Sequence, residues 1–78
     1  MPTLLRWQGW RFHFYSYDRV EPAHVHISKG RQELKVWLAD LRVASNKRCP
    51  DREISVILRL VSENRGAFLE AWDEHCRD

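Results

Sequence analysis

Residues 23–38 read AHVHISKGRQELKVWL, and this stretch decides the fold. Apolar and polar residues alternate in both of its halves, which is the period of two that a half-buried β-strand shows. Gly30 separates the halves, at a point where a tight turn is expected because glycine tolerates turn conformations. The stretch therefore predicts a β-hairpin made of strands Ala23–Lys29 and Gln32–Leu38.

Two further strands are expected before the hairpin. Thr3–Trp7 is a short β-prone run that ends at Gln8-Gly9, and Trp10–Tyr17 places alternate aromatic residues on one side. The segment Asp18–Pro22 is expected to be a turn or loop, because proline fixes its own backbone angle and cannot donate to a sheet ladder. Four consecutive strands predict an antiparallel meander.

Two helices are expected after the strands. Pro50 suits the first helical turn, and apolar residues at helical spacing then predict a helix over residues 50–62. A break at residues 64–66 precedes a second helix that runs to Cys76. The predicted fold class is α+β, a four-stranded antiparallel meander with two carboxyl-terminal helices packed on one face (β-β-β-β-α-α). With 78 residues, the chain is expected to form a single domain over 1–78.

The period of two sorts the strand side chains into an apolar face and a polar face. The apolar face is expected to form the core with Trp10, Phe12, Phe14, Val25, Ile27, Leu34, Val36 and Leu38. The polar face is expected to carry Arg11, His13, Tyr15, His24, His26, Ser28, Glu33, Lys35 and Trp37. Three of the four histidines thus share one face, with Trp37 as the tryptophan on that side.

The charged residues are unevenly distributed. Thirteen Lys and Arg against eleven Asp and Glu give a formal charge of +2, too small to imply polyanion binding by itself. Basic residues cluster in the middle of the chain, at Arg42, Lys47, Arg48 and Arg52. Because they precede or begin a helix, they could hold a phosphate or a partner, although a solvated loop is the simpler interpretation.

The protein is expected to be cytoplasmic. The amino terminus lacks the features of a signal peptide, and no stretch has the length of a membrane span, so no membrane contact is expected. Cys49 and Cys76 lie far apart, with no spacing typical of zinc or redox motifs, and are interpreted as reduced thiols.

Four segments together resemble the small bacterial domain-of-unknown-function family 4160. They are Gly9–Ser16, Glu21–His26, Glu33–Leu38 and Leu69–Trp72. Family members commonly have a second proline where this chain has Ala23. The resemblance brings no established activity, but members often look like one half of a two-gene pair similar to toxin and antitoxin modules. It therefore implies a cognate small protein, encoded by a neighbouring gene, as the partner.

Three interpretations of the polar face are open. In the first, it is a surface that binds RNA or the cognate protein, with Arg11 and Trp37 among the contact residues. In the second, His24 and His26 cleave RNA as general acid and base, since imidazole suits proton transfer near neutral pH. His13, Tyr15 or Lys35 would assist in this endoribonuclease, with phosphate held by Arg11, Lys35 or Arg42.

The third interpretation is a metal site. His24 and His26 would present two imidazoles to zinc or another divalent ion, and His13 or Glu21 could add a third ligand. Apart from this ion, no cofactor is expected.

Overall fold

The computed structural model describes residues 3–15 and 19–77. Its strands are β1 (Thr3–Trp7), β2 (Trp10–His13), β3 (His24–Lys29), β4 (Gln32–Trp37) and β5 (Val43–Lys47), and its helices are α1 (Asp51–Glu63) and α2 (Arg65–Cys76). The strands form one antiparallel sheet in the order β1-β2-β3-β4-β5. The predicted α+β class is confirmed.

The prediction of four strands is wrong, because β5 adds a fifth. All five residues of β5 are exposed. Because the strand has no buried face, its sequence does not alternate between apolar and polar residues, and it looks like a loop. Its position depends on backbone pairing with β4, in which Asn46 lies opposite Leu34 and Ser45 opposite Lys35. The paired residues of β4 lie about ten positions earlier in the chain, so the sequence of β5 alone does not show that it is a strand.

The second strand is shorter than predicted. It ends at His13, and Phe14 and Tyr15 continue without strand pairing. The last part of the predicted strand, residues 16–17, lies outside the described residues.

Tight turns connect the first four strands in pairs. Trp7 pairs with Trp10, and the two residues between them have positive φ, 46° at Gln8 and 86° at Gly9. Positive φ at both central positions is the geometry that matches the twist of a two-residue hairpin. Gly30 has a φ of 59° in the turn between β3 and β4. The hairpin predicted from residues 23–38 is confirmed.

The core contains every residue assigned to it from the alternation of the strands. Both helices contribute to it, through Ile57, Val61, Phe68 and Trp72, and Cys49 completes the cluster. Phe12 of β2 lies against Phe68 of α2, with ring centroids 6.1 Å apart.

The helices begin and end within a few residues of the predicted positions. Only Asn64 separates them, and its side-chain amide donates to the carbonyl of Leu60 at 2.8 Å, which helps to end α1. Within residues 3–15 and 19–77, neither helix has the length and apolarity that crossing a membrane requires.

Candidate functional site

Strand register aligns the polar side chains in rows across the sheet, since directly paired residues of adjacent strands project to the same face. One row crosses all five strands and consists of Arg6, Arg11, Ser28, Glu33 and Lys47. The neighbouring row consists of Thr3, His13, His26, Lys35 and Ser45. We call the first row the basic row and the two together the polar face.

The basic row has three exposed cationic residues and two half-buried residues, Ser28 and Glu33. Arg6, Arg11 and Lys47 are all exposed, and Glu33 is the one carboxylate among its five residues. Arg6 and Arg11 are direct neighbours on β1 and β2, whereas Lys47 lies at the far side of the sheet. The row therefore carries positive charge at both of its ends, with Ser28 and the Glu33 carboxylate between them.

Glu33 connects two rings of the polar face. Its Oε2 accepts a hydrogen bond from the Tyr15 hydroxyl at 2.9 Å and lies 3.4 Å from Nδ1 of His26. The Tyr15 and His26 rings are themselves in contact, with centroids 4.5 Å apart. The His26 side chain is 12% exposed. A carboxylate beside an imidazole can hold the ring in one orientation, as proton transfer requires.

His24 lies in the interior of the protein and is not accessible to solvent. Its Nδ1 lies 2.9 Å from the carbonyl oxygen of Pro22. Because a carbonyl can only accept, Nδ1 carries the proton and donates it. The rings of Trp37 and Trp72 lie against the imidazole, with centroids 5.6 Å and 5.1 Å away. Trp72 belongs to α2, so this helix covers the start of β3.

His13 is also inaccessible to solvent. Its Nε2 lies 3.1 Å from the Ser28 hydroxyl, and its ring stacks on His26 with centroids 5.9 Å apart. The three histidines that the alternation assigns to the polar face are thus brought together, but only His26 reaches solvent. The imidazoles of His13 and His24 pack against neighbouring rings, and because they are buried they are not positioned to contact a substrate directly.

Lys35 joins the polar face to the loop before β3. Its ammonium group donates to Oε1 of Glu21 at 2.6 Å and lies 4.8 Å from the centroid of the Trp37 ring. The second contact has the geometry of a cation–π interaction. Lys35 is therefore positioned by two partners, and Trp37 is half-buried between it and His24.

The basic residues in the middle of the chain do not form one cluster. Lys47 belongs to the polar face through its pairing with Glu33, whereas Arg42 and Arg48 lie just beyond the two ends of β5. Arg52 is exposed in the first turn of α1. The sequence grouped these four residues by their spacing; in the structure three of them lie in β5 or at its two ends, and Arg52 lies on α1.

No three His, Cys, Asp or Glu side chains among residues 3–15 and 19–77 are grouped so that they could hold a metal ion. The rings of His24 and His26 are 5.0 Å apart and nearly perpendicular. Nδ1 of His24 is already used by the Pro22 carbonyl. Glu21, one of the proposed third ligands, has Oε1 3.8 Å from Nε2 of His24, and the proposed histidine ligands stay a prediction.

A known family model matches the chain from the start of β2 through most of α2. The model described as "Domain of unknown function (DUF4160)" covers residues 9–73. The chain belongs to this family. The resemblance inferred from the sequence is confirmed, and no curated protein and no solved structure matches the chain. The DUF4160 match begins at the turn before β2, so Arg6 of the basic row lies outside it.

For this DUF4160 chain, the sequence did not identify one residue of the site and did not assign a role to another. Arg6 was not assigned to the polar face. A two-residue turn at Gln8-Gly9 would have predicted its position, because such a turn places Arg6 opposite Arg11. Glu33 was assigned to the face but to no role. Its contact with Tyr15 spans 18 positions of the chain and depends on the path of the backbone beyond β2.

Proposed function

We propose that this DUF4160 protein binds single-stranded RNA across the polar face of its sheet, as one member of a toxin–antitoxin-like protein pair in the bacterial cytoplasm. The observation that carries the proposal is the basic row, in which Arg6, Arg11 and Lys47 are exposed on one face. The partner protein is inferred because members of the family often look like one half of a two-gene pair. The RNA is inferred from the chemistry of the face.

The dimensions of the basic row suit an extended polyanion. Five strands spaced about 4.8 Å apart give a row roughly 19 Å long. Arginine and lysine side chains along such a row contact phosphates, which supplies affinity that does not depend on sequence. Trp37 and Tyr15 border the second row and offer aromatic surface on which bases can stack, as on other sheet surfaces that bind RNA.

The proposal also requires that the polar face is open. We take both helices to pack on the apolar face, as the contact between Phe12 and Phe68 supports. The contact between Trp72 and His24 occurs at the start of β3, away from Arg6 and Arg11 at the opposite end of the strands. This arrangement leaves the basic row accessible.

The experiment is a fluorescence anisotropy titration with a labelled single-stranded RNA of mixed sequence at several salt concentrations. We expect the Arg6→Ala/Arg11→Ala variant to bind at least tenfold more weakly. The slope of log affinity against log salt should also fall by about 1.4, because each lost phosphate contact removes about 0.7.

The matched control is Arg59→Ala/Arg77→Ala, which removes the same charge from exposed positions on α1 and after α2. The control should bind RNA within about twofold of the native protein. Equal losses in the two variants would show that net charge alone attracts RNA. A native protein that does not bind at low salt would overturn the proposal.

A second candidate function, cleavage of the bound RNA, is favoured by the position of Glu33 between Tyr15 and His26. In this proposal, His26 transfers a proton in phosphodiester cleavage, with Tyr15 and Lys35 beside it. The test is induced expression of the chain alone in bacteria, followed by incubation of purified protein with RNA. Growth arrest and cleavage by the native protein, both lost in a folded His26→Gln variant, would support it. Cleavage that survives this substitution, or no cleavage at all, would refute it.

A further inference from the structure

The edge of the sheet formed by β5 is exposed. β5 pairs with β4 on one side and is the last strand in the sheet order of the described residues. All five of its residues are exposed. In an edge strand, alternate backbone N–H and C=O groups point away from the sheet, where they can pair with another extended chain.

The backbone of this edge is held in place at both ends. Leu41, before the strand, and Arg48, after it, have φ of 61° and 65°, which ends the extended conformation at those points. The Gln32 side chain donates to the carbonyl of Arg48 at 2.9 Å. Asn46 donates to the carbonyl of Cys49 at 3.2 Å and accepts from its N–H at 2.9 Å. A strand fixed in this way loses little conformational entropy when it pairs.

The charged residues of β5 and of its two ends are all basic. Residues 41–50 include Arg42, Lys47 and Arg48 and no Asp or Glu. Three acids lie close to this stretch: Asp40, whose Oδ2 lies 3.7 Å from Nε of Arg42, Glu33, which pairs with Lys47 across the strands, and Asp51, which follows Pro50. Both side chains of the Asp40–Arg42 pair are more than half exposed, so the pair contributes little stability, but the charge of Asp40 still offsets part of the charge of Arg42.

This charge disfavours pairing of β5 with a second copy of itself. A two-fold antiparallel pairing centred on Ser45 would place Arg42 of one copy opposite Arg48 of the other, at both ends of the interface. Like charges that face each other across paired strands are destabilising. Basic residues at a sheet edge are also a common protection against self-association. The same charges would attract a strand that carries carboxylates.

We propose that the β5 edge binds an acidic, extended segment of a partner protein, which adds to the sheet as a sixth strand. Main-chain hydrogen bonds to β5 supply affinity, and carboxylates near Arg42 and Arg48 select the partner. The proposal does not depend on RNA binding, which the substitutions of Arg6 and Arg11 test on β1 and β2, although Lys47 belongs both to the basic row and to β5.

The probe is a capped synthetic peptide of about nine residues that alternates glutamate with valine, since alternate side chains on an added strand face the same way. It is titrated into isotope-labelled protein and followed by NMR. We expect amide shifts concentrated at residues 42–48 and slower hydrogen exchange within β5. A second peptide, with every backbone amide methylated, keeps the charge but cannot donate a main-chain hydrogen bond from either edge, and it should bind at least tenfold more weakly.

Charge reversal tests the role of the two arginines. Arg42→Glu/Arg48→Glu should bind the acidic peptide at least tenfold more weakly and gain binding to the same peptide with lysine in place of glutamate. Arg59→Glu/Arg77→Glu changes the net charge equally on other surfaces and should keep most of the affinity. Circular dichroism of each variant shows whether the fold is retained.

Three results would overturn the proposal. The first is equal binding of the methylated and unmethylated peptides, which would mean attraction by charge alone. The second is no binding, or shifts located on β1 and β2. The third is a stable dimer in sedimentation that Ala44→Lys dissociates, which would mean that a second copy occupies the edge. None of them changes the RNA result for Arg6 and Arg11, so the two proposals fail separately.

Discussion

The guanidinium of Arg65 donates to the carbonyl oxygen of Leu38 at 2.6 Å, although the two residues are 27 positions apart in the chain. A second nitrogen of the same side chain donates to the carbonyl of Ala39 at 3.2 Å. Arg65 is the first residue of α2, and Leu38 follows β4. The pair therefore fixes the start of the last helix to the end of a central strand.

Replacing Arg65 should destabilise the protein. We expect Arg65→Ala to lower the free energy of unfolding by about 1.5 to 3 kcal/mol, because hydrogen bonds from a charged donor are lost at a half-buried site. Arg65→Lys should lie between this variant and the native protein, since one ammonium group cannot reproduce the planar arrangement of donors. Urea denaturation measures both. A loss no larger than that of the exposed Arg59→Ala would contradict the structural role.

His24 should stabilise the fold. Truncation of this buried side chain between two tryptophan rings should cost about 2 to 4 kcal/mol in His24→Ala. His24→Asn should cost less, because an amide can still donate to the Pro22 carbonyl. Thermal and urea unfolding provide the measurement, with Val20→Ala, at a residue that is 89% exposed, as the control. If His24→Ala unfolds like the native protein, the imidazole is not needed for packing.

This result also decides how activity assays are interpreted. A growth or RNA phenotype of His24→Ala reports on the fold first, so His26 is the histidine whose substitution tests chemistry.

Cys49 should make the protein less stable in alkali. Burial raises the pKa of its thiol above the ordinary value of 9.0, and the charge of Glu53 adds to the increase. The folded state therefore holds the thiol proton more tightly than the unfolded state does. The resulting contribution to stability is complete below pH 9.0 and is lost as the pH rises through the higher pKa of the folded protein.

Urea denaturation between neutral and alkaline pH measures this effect. Cys49→Ala should lose less stability over the alkaline range than the native protein does. The thiol should also react slowly with Ellman's reagent compared with the more exposed Cys76. Equal reaction rates for the two thiols, or identical pH profiles for the two proteins, would argue against a buried Cys49.

The two turn glycines should respond similarly to alanine, with a small difference. Both have positive φ, so either substitution should cost about 1 to 2 kcal/mol. A Cβ at Gly9 would also lie 3.2 Å from Cε of Lys29, whereas a Cβ at Gly30 would meet no atom within 4 Å. Gly9→Ala should therefore be the more destabilising by a few tenths of a kcal/mol, since the end of the lysine can move.

Lys29→Ala in the Gly9→Ala background should remove this excess. Lys29 also lies 5.7 Å from the centroid of the Trp10 ring, so the cost of Lys29→Ala alone must be subtracted in a double-mutant cycle. If Gly9→Ala is still more destabilising than Gly30→Ala without the lysine side chain, the backbone of the turn causes the difference.

The sequence by itself determined the class of fold, the hairpin of residues 23–38, the core and the family. These follow from local signals, because alternation assigns each strand residue to one of two faces and helical spacing marks the apolar side of α1. It also indicated that His13, His24 and His26 share a face, which their contacts confirm.

Only the tertiary structure decided which of these residues reach solvent and what they contact. Trp72 covers His24 from a helix nearly fifty residues away, so the alternation of β3 could not predict that burial. β5 is exposed throughout, and its place depends on hydrogen bonds to β4 that any backbone can make. The basic row exists because the registers of four strand pairs bring Arg6, Arg11 and Lys47 into one line. Register depends on both strands of a pair, so the sequence of one strand alone does not specify which residues lie opposite each other.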